Sequence, residues 1–145
     1  MDLNHQDKEW LSPQKFPYFM TLSQCKPYKE NIKSEKTVNY MLVPDDIVPR
    51  FSLGTVQTTG PDRVEAHSHP FLEQLFFGLG KNDCCVHADD HETRFGADTL
   101  LYIPSGSHHG VRVEDEKCLH YVWLDFFKTL KDIRYIRENH VFEDF

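Results

Sequence analysis

Nothing in this sequence approaches the run of ~20 apolar residues that a membrane helix needs. The polar opening Met1-Asp2-Leu3-Asn4-His5-Gln6-Asp7 is unlike a secretory leader. No Lys/Arg cluster occurs, and a net charge of -7 argues against binding nucleic acid or an anionic membrane by bulk electrostatics. Cysteine is scarce. Cys25, Cys84, Cys85 and Cys118 have no Cys-x2-Cys spacing, which removes the usual zinc ribbons and dithiol redox pairs. Adjacent Cys84 and Cys85 would point to opposite faces of a strand, Cys85 with the parity of His87. Free, buried thiols in a cytoplasmic protein without nucleic-acid or membrane partners are the expectation.

Helix-length periodic segments are also missing from residues 37–127. What is there instead is β-prone stretches broken by turn residues: Thr37 to Val43 before Pro44-Asp45-Asp46, and Phe51 to Thr55 running on to Gly60-Pro61-Asp62. Further strands follow at Glu73 to Phe77, Cys84 to Ala88, Asp98 to Ile103, Val111 to Val113 and Cys118 to Phe126. Short strands at such intervals mean an all-β sandwich or barrel. A length of 145 residues suits one domain with a real core. Residues 1–36 read as an irregular arm, because Pro13, Pro17 and Pro27 interrupt Trp10, Phe16, Tyr18, Phe19 and Tyr28. Residues 37–127 read as the barrel and 128–145 as a short helix and tail. Leu130, Ile133 and Ile136 recur at helical spacing, and Asn139-His140 is a reasonable stop.

The chemistry concentrates in Ala66-His67-Ser68-His69-Pro70-Phe71-Leu72-Glu73. On an extended strand His67, His69 and Glu73 would share one face. Downstream, Pro104-Ser105-Gly106-Ser107-His108-His109 makes a turn into a strand on which His109, Val111 and Val113 share parity. If both strands face one interior, His67, His69, Glu73 and His109 converge as three imidazoles and one carboxylate, a set suited to a divalent first-row transition metal. Only a small barrel gathers ligands from strands more than thirty residues apart. Finding both patterns by chance in a chain of this composition is on the order of one in a thousand. Phe71, Leu75 and Phe77 share the ligands' parity and would line a partly apolar substrate pocket. His108 should face outward. On the last long strand alternation leaves two readings open, with His120, Val122 and Leu124 inside, or Tyr121, Trp123 and Asp125.

Gly60-x6-His67-x-His69-x3-Glu73-x6-Gly80 and Gly96-x7-Pro104-x-Gly106-x2-His109 resemble the two motifs of the cupin superfamily, small single-domain metal-binding members above all. Val113 stands where an Asn often closes the second motif. The resemblance implies a double-stranded β-helix, or jelly-roll, barrel. It also implies a metal centre of Fe, Mn, Ni, Zn or Cu with positions left open for substrate. Isomerases, lyases, dioxygenases and ligand sensors all use this fold, so fold alone does not give function. The expectation is an enzyme acting on a small oxygenated metabolite. The alternatives are a non-catalytic metal-dependent binding or sensing module, or a metal-free relative. A homodimer formed partly by the segment before Phe51 is also expected, since small cupins are commonly dimers and both faces of Cys118 to Phe126 are apolar.

Overall fold

The computed structural model describes residues 4–139 and 142–144. A short helix α1 (His5–Trp10) and a 3-10 turn (Leu22–Gln24) precede three strands, β1 (Pro27–Glu30), β2 (Val38–Val48) and β3 (Phe51–Thr59). The Gly60-Pro61 turn then leads to β4 (Asp62–His67), β5 (Leu72–Gly78), β6 (Asp83–Ala88) and β7 (His91–Gly96). After these come β8 (Leu100–Ile103), β9 (His109–Val113), β10 (Cys118–Phe127), α2 (Leu130–Asn139) and β11 (Phe142–Asp144). The strands form two antiparallel sheets, a large one in the order β11-β1-β2-β3-β10-β5-β8 and a small one in the order β4-β9-β6-β7. Among the described residues no helix is long and apolar enough to cross a membrane.

The two sheets close on one apolar core. Val56, Phe76, Leu119, Tyr121 and Trp123 come from the large sheet, and Val64, Cys84, Val86, Phe95, Val111 and Val113 from the small one. Strict alternation does the sorting on β10, where Leu119, Tyr121, Trp123, Asp125 and Phe127 turn inward. That settles the question left open by its two apolar faces. The outer face remains apolar as well, because paired residues share a side of the sheet. Leu53, Leu124, Leu75 and Tyr102 lie in one row, Val122, Phe77 and Leu100 in the next, and Phe51 stands beside Phe126.

Two boundaries differ from the sequence expectation. Pro44 does not end its strand. β2 runs on to Val48 with register shifts after Met41 and Val43, and β1 pairs with it only at Tyr40 and Asn39. Beyond that point β2 is an edge, where a missing N–H costs the ladder nothing. β7 was not foreseen, since all but Phe95 and Gly96 along it are exposed and polar. The terminal helix is present, with Ile133 and Leu130 packed on Leu72 and Phe127, and Thr129 N–H donating to Asp132 Oδ2 at 2.7 Å. His140 lies outside the described residues. The arm docks partly on its own chain: Trp10 packs on the helix cluster and donates from Nε1 to the Asp45 carbonyl, and Tyr18 donates to the Leu42 carbonyl. Phe16 and Phe19 stay 74% and 78% exposed. The four cysteines are free thiols; burial pushes Cys84 up to about 12.

Candidate metal centre

Local chain geometry brings three histidines together. His67 ends β4 and stands opposite His109, the first residue of β9, after a register shift that follows Val64. His69 lies in the turn beyond β4 and is buried. Two turns hold this arrangement. Gly106, at φ +80, lets its N–H reach the His69 carbonyl at 2.9 Å, a conformation that favours glycine. Ser105 Oγ accepts from the Phe71 N–H at 2.8 Å, while Asp89 receives Ser107 Oγ–H and the His108 N–H, both at 3.0 Å. Those same bonds hold the Asp89 carboxyl below the usual carboxylate range. His108 itself is exposed, as its parity implies.

One ligand-type nitrogen from each of His67, His69 and His109 lies within 4.8 Å of the other two. The ring centroids are 4.7, 4.5 and 5.4 Å apart. His67 Nδ1 is 2.7 Å from the Glu65 carbonyl and His109 Nδ1 is 3.0 Å from the Ser107 carbonyl. A carbonyl can only accept, so in both rings Nδ1 carries the proton and Nε2 keeps the lone pair a metal requires. Burial lowers the His109 pKa and favours the neutral ring, against the smaller pull of the Ser107 carbonyl. Nitrogens at this spacing, two of them on rings whose tautomer is fixed, fit a transition-metal ion.

Glu73 does not join them. Its carboxylate accepts from Tyr102 Oη–H at 2.6 Å and from the Ser105 N–H at 3.0 Å, bonds that lower its pKa, and Lys128 lies 3.9 Å away. The expected pocket residues fail with it. Phe71 is 55% and Phe77 39% exposed, and Leu75 belongs to the outer apolar row. The cause is one residue: Phe71 adopts φ +76 after Pro70, the strand restarts at Leu72, and parity is reset. Leu72, Gln74 and Phe76 therefore face inward. Pro70 carried the signal, since alternation should not be extended through a proline.

A cavity of about 580 Å³ adjoins the histidines, walled by Val64, Leu72, Phe76, Val111, Tyr121 and Trp123. Its polar groups are mostly matched to one another. Lys33 pairs with Glu30 at 3.0 Å and donates to Asn39 Oδ1 at 2.6 Å. Gln74 Nε2 donates to Asp125 Oδ1 at 2.8 Å, with both residues buried, and burial pushes the Asp125 carboxyl up to about 7.

No family model and no curated protein matches the sequence. Solved structures do match the fold. One from Thermotoga maritima, described as a predicted oxalate decarboxylase, superposes with a TM-score of 0.68 at 12% identity, covering 76% of this chain and 99% of that one. The polyketide cyclase RemF of Streptomyces resistomycificus gives 0.65 at 16% identity, over 83% and 92%. A cupin 2 conserved barrel protein of Salinispora arenicola gives 0.56 at 15% identity, over 74% and 87%. Two antiparallel sheets closed over a histidine-lined cavity make this a jelly-roll barrel. Its fold is that of the cupin superfamily, as the resemblance around His67, His69 and His109 implies.

Proposed function

We propose that this protein is a metal-dependent enzyme acting on a small oxygenated metabolite, with His67, His69 and His109 holding a divalent transition ion. The observation that carries the reading is the meeting of three imidazoles, two of them with tautomers fixed by backbone carbonyls, beside a cavity of about 580 Å³. Three protein nitrogens leave coordination positions open, which belongs to reactive and not to closed structural sites. A bound Fe, Mn, Ni, Zn or Cu ion supplies Lewis acidity toward a substrate oxygen. The chain contributes the rest. Leu72, Phe76 and Val111 make an apolar wall that excludes water, and the Glu30–Lys33 pair and the Gln74–Asp125 amide–carboxylate bond place polar groups within it. Two of the structural neighbours, described as a predicted oxalate decarboxylase and a polyketide cyclase, agree with chemistry on small oxygenated molecules. The four free cysteines fit a reducing, cytoplasmic compartment.

The test is elemental analysis of untagged protein, followed by a turnover screen of the metal-loaded form on keto acids, diols and uronates. Stoichiometric metal with turnover supports the enzyme. Ligand-induced thermal stabilisation with no turnover favours the binding or sensing module, and no metal at any concentration overturns both. Metal occupancy should also depend on pH. A free imidazole protonates near ~6.5, and the lowered His109 value keeps that ring ready for metal somewhat further into acid. Occupancy at subsaturating metal should hold at neutral pH and fall below ~6 as protons compete. A flat titration down to about pH 5 would remove histidine from the ligand set.

We infer also a homodimer built on the outer face of the large sheet. Leu100, Tyr102 and Phe126 there are 59%, 58% and 41% exposed, a contiguous apolar ladder more typical of an interface than of a solvated surface. Phe16 and Phe19 would be the arm's share. Sedimentation equilibrium should give twice 17.1 kDa, and the Phe77→Glu, Leu100→Glu double variant should sediment as monomer. A native species at 17.1 kDa at micromolar concentration sinks the dimer.

A further inference from the structure

We propose that Lys33 and Trp123 form a subsite for a neutral carbonyl group at the end of the cavity away from the histidines, so that the molecule bound there is an oxo acid. Its carboxylate would lie toward His67, His69 and His109 and its carbonyl oxygen at the subsite. The inference rests on the three-histidine reading above.

Two unmatched donors carry it. The Lys33 side chain is only 7% exposed, and of the three hydrogens on its ammonium two are taken, by Glu30 Oε2 at 3.0 Å and Asn39 Oδ1 at 2.6 Å. One remains. Trp123 is 8% exposed, and its Nε1, which can only donate, is buried with no hydrogen-bond partner among the described residues. Both residues line the cavity. The indole is held firmly, because it packs so closely over Gly54 that a Cβ there would come within 2.4 Å of its Cζ2. Buried donors with nothing to donate to are uncommon, and an acceptor oxygen on a bound molecule supplies what these lack.

Charge selects the kind of oxygen. Glu30 cancels the Lys33 charge and Asp125 lines the same cavity, so a second carboxylate arriving there meets two groups of its own sign. A carbonyl meets no such penalty. The length of the molecule follows from β4: Lys33 is bridged to Val64, three residues before His67, a separation of roughly 10 Å along a strand. A short-chain acid has that reach.

The experiment is isothermal titration of the Zn²⁺-loaded full chain, with zinc counted by elemental analysis and folding followed by thermal melting. The probes are 4-oxopentanoate, 5-oxohexanoate and 6-oxoheptanoate, each set against the unsubstituted acid and the dicarboxylate of equal length. At least one oxo acid should bind tenfold or more tightly than both of its counterparts, since only it satisfies the buried donors, by about the worth of one or two such bonds. Trp123→Phe keeps an aromatic ring and removes the N–H; it should cost that oxo acid about fivefold and leave the unsubstituted acid within about twofold of native. The Lys33→Met, Glu30→Gln double variant, which removes the ammonium without stranding a carboxylate, should act in the same direction. If one variant does not fold, the other decides, and the ranking of probes on the native chain decides alone if neither folds. An oxo acid bound no tighter than its unsubstituted counterpart overturns the carbonyl subsite and leaves the three-histidine centre standing. So does a folded variant whose affinity for all three kinds of probe is unchanged or falls equally, and so does a dicarboxylate that binds most tightly. Failure of the native chain to bind zinc overturns both.

Discussion

His109→Ala should lower the affinity of the chain for a divalent transition metal by at least ~100-fold, and His67→Ala should do the same. Losing an outer-shell partner of a metal ligand already costs about tenfold to a hundredfold, so losing a ligand should cost no less. His109 is the sharper case. It is buried at 3% exposure, its Nδ1 is spent on the Ser107 carbonyl, and its ring touches both other histidines of the cluster. The variant leaves two imidazoles and a hole, and the exposed His108 next to it hangs from Asp89 through its backbone. Glu73→Gln is the matched control. Its carboxylate serves Tyr102 and Ser105 on the outer side, so metal affinity should stay within about twofold of native. Competition against a chromophoric chelator measures all three proteins under one condition. Affinity retained in a folded His109→Ala chain, or lost in Glu73→Gln, would mean that the sequence spacing was right about Glu73 and the three-histidine geometry misassigned.

The contrast between those residues shows what is legible in the sequence. His67, His69 and His109 could be read because each sits beside a turn whose chemistry is local: Pro104 and Gly106 force the reversal, and Gly106 closes it onto the His69 carbonyl. The all-β class and the terminal helix were legible for a similar reason, as turn residues and a 3.6-residue period are short-range signals. Glu73, Phe71, Leu75 and Phe77 were misplaced together because parity is a running count, and one residue at φ +76 inverts everything after it. The inward placement of Gln74 was hidden by the same error. The inward face of β10 could not be had from its own sequence at all. It is decided by pairing with β3 and β5, which present Val56 and Phe76 to the core and Leu53 and Leu75 to the outside.

Asp62→Ala should destabilise the fold by about 2–4 kcal/mol at neutral pH, the cost of removing a charged acceptor and leaving buried hydroxyls unmet. Asp62 opens β4, the strand that ends in His67, and its carboxylate ties three segments together. Oδ2 accepts from Thr58 on β3 at 2.6 Å, from Ser34 at 2.8 Å and from Thr37 at 3.1 Å, while Oδ1 accepts from the Arg63 N–H at 2.8 Å. Thr37 and Thr58 are buried at 1% and 8% exposure, so water cannot fully replace the lost acceptor. Burial by itself would raise the Asp62 pKa, but the hydrogen bonds from Thr58, Ser34, Arg63 and Thr37 outweigh it and hold the carboxyl below the ordinary value of 3.8. A folded-state pKa below the unfolded one stabilises the fold at every pH above the unfolded value, and that stabilisation is lost as pH falls through the folded value. The gap between native and Asp62→Ala in urea unfolding should therefore be constant from pH 7 to about 5 and narrow below that. Asp62→Asn keeps the shape and removes the charge, so its deficit should be smaller at pH 7 and should shrink over the same acid range. A change under about 0.5 kcal/mol in Asp62→Ala at pH 7 would deny Asp62 this role. A gap of unchanged size down to pH 3 would mean that the neutral carboxyl holds the three segments as well as the charged one does.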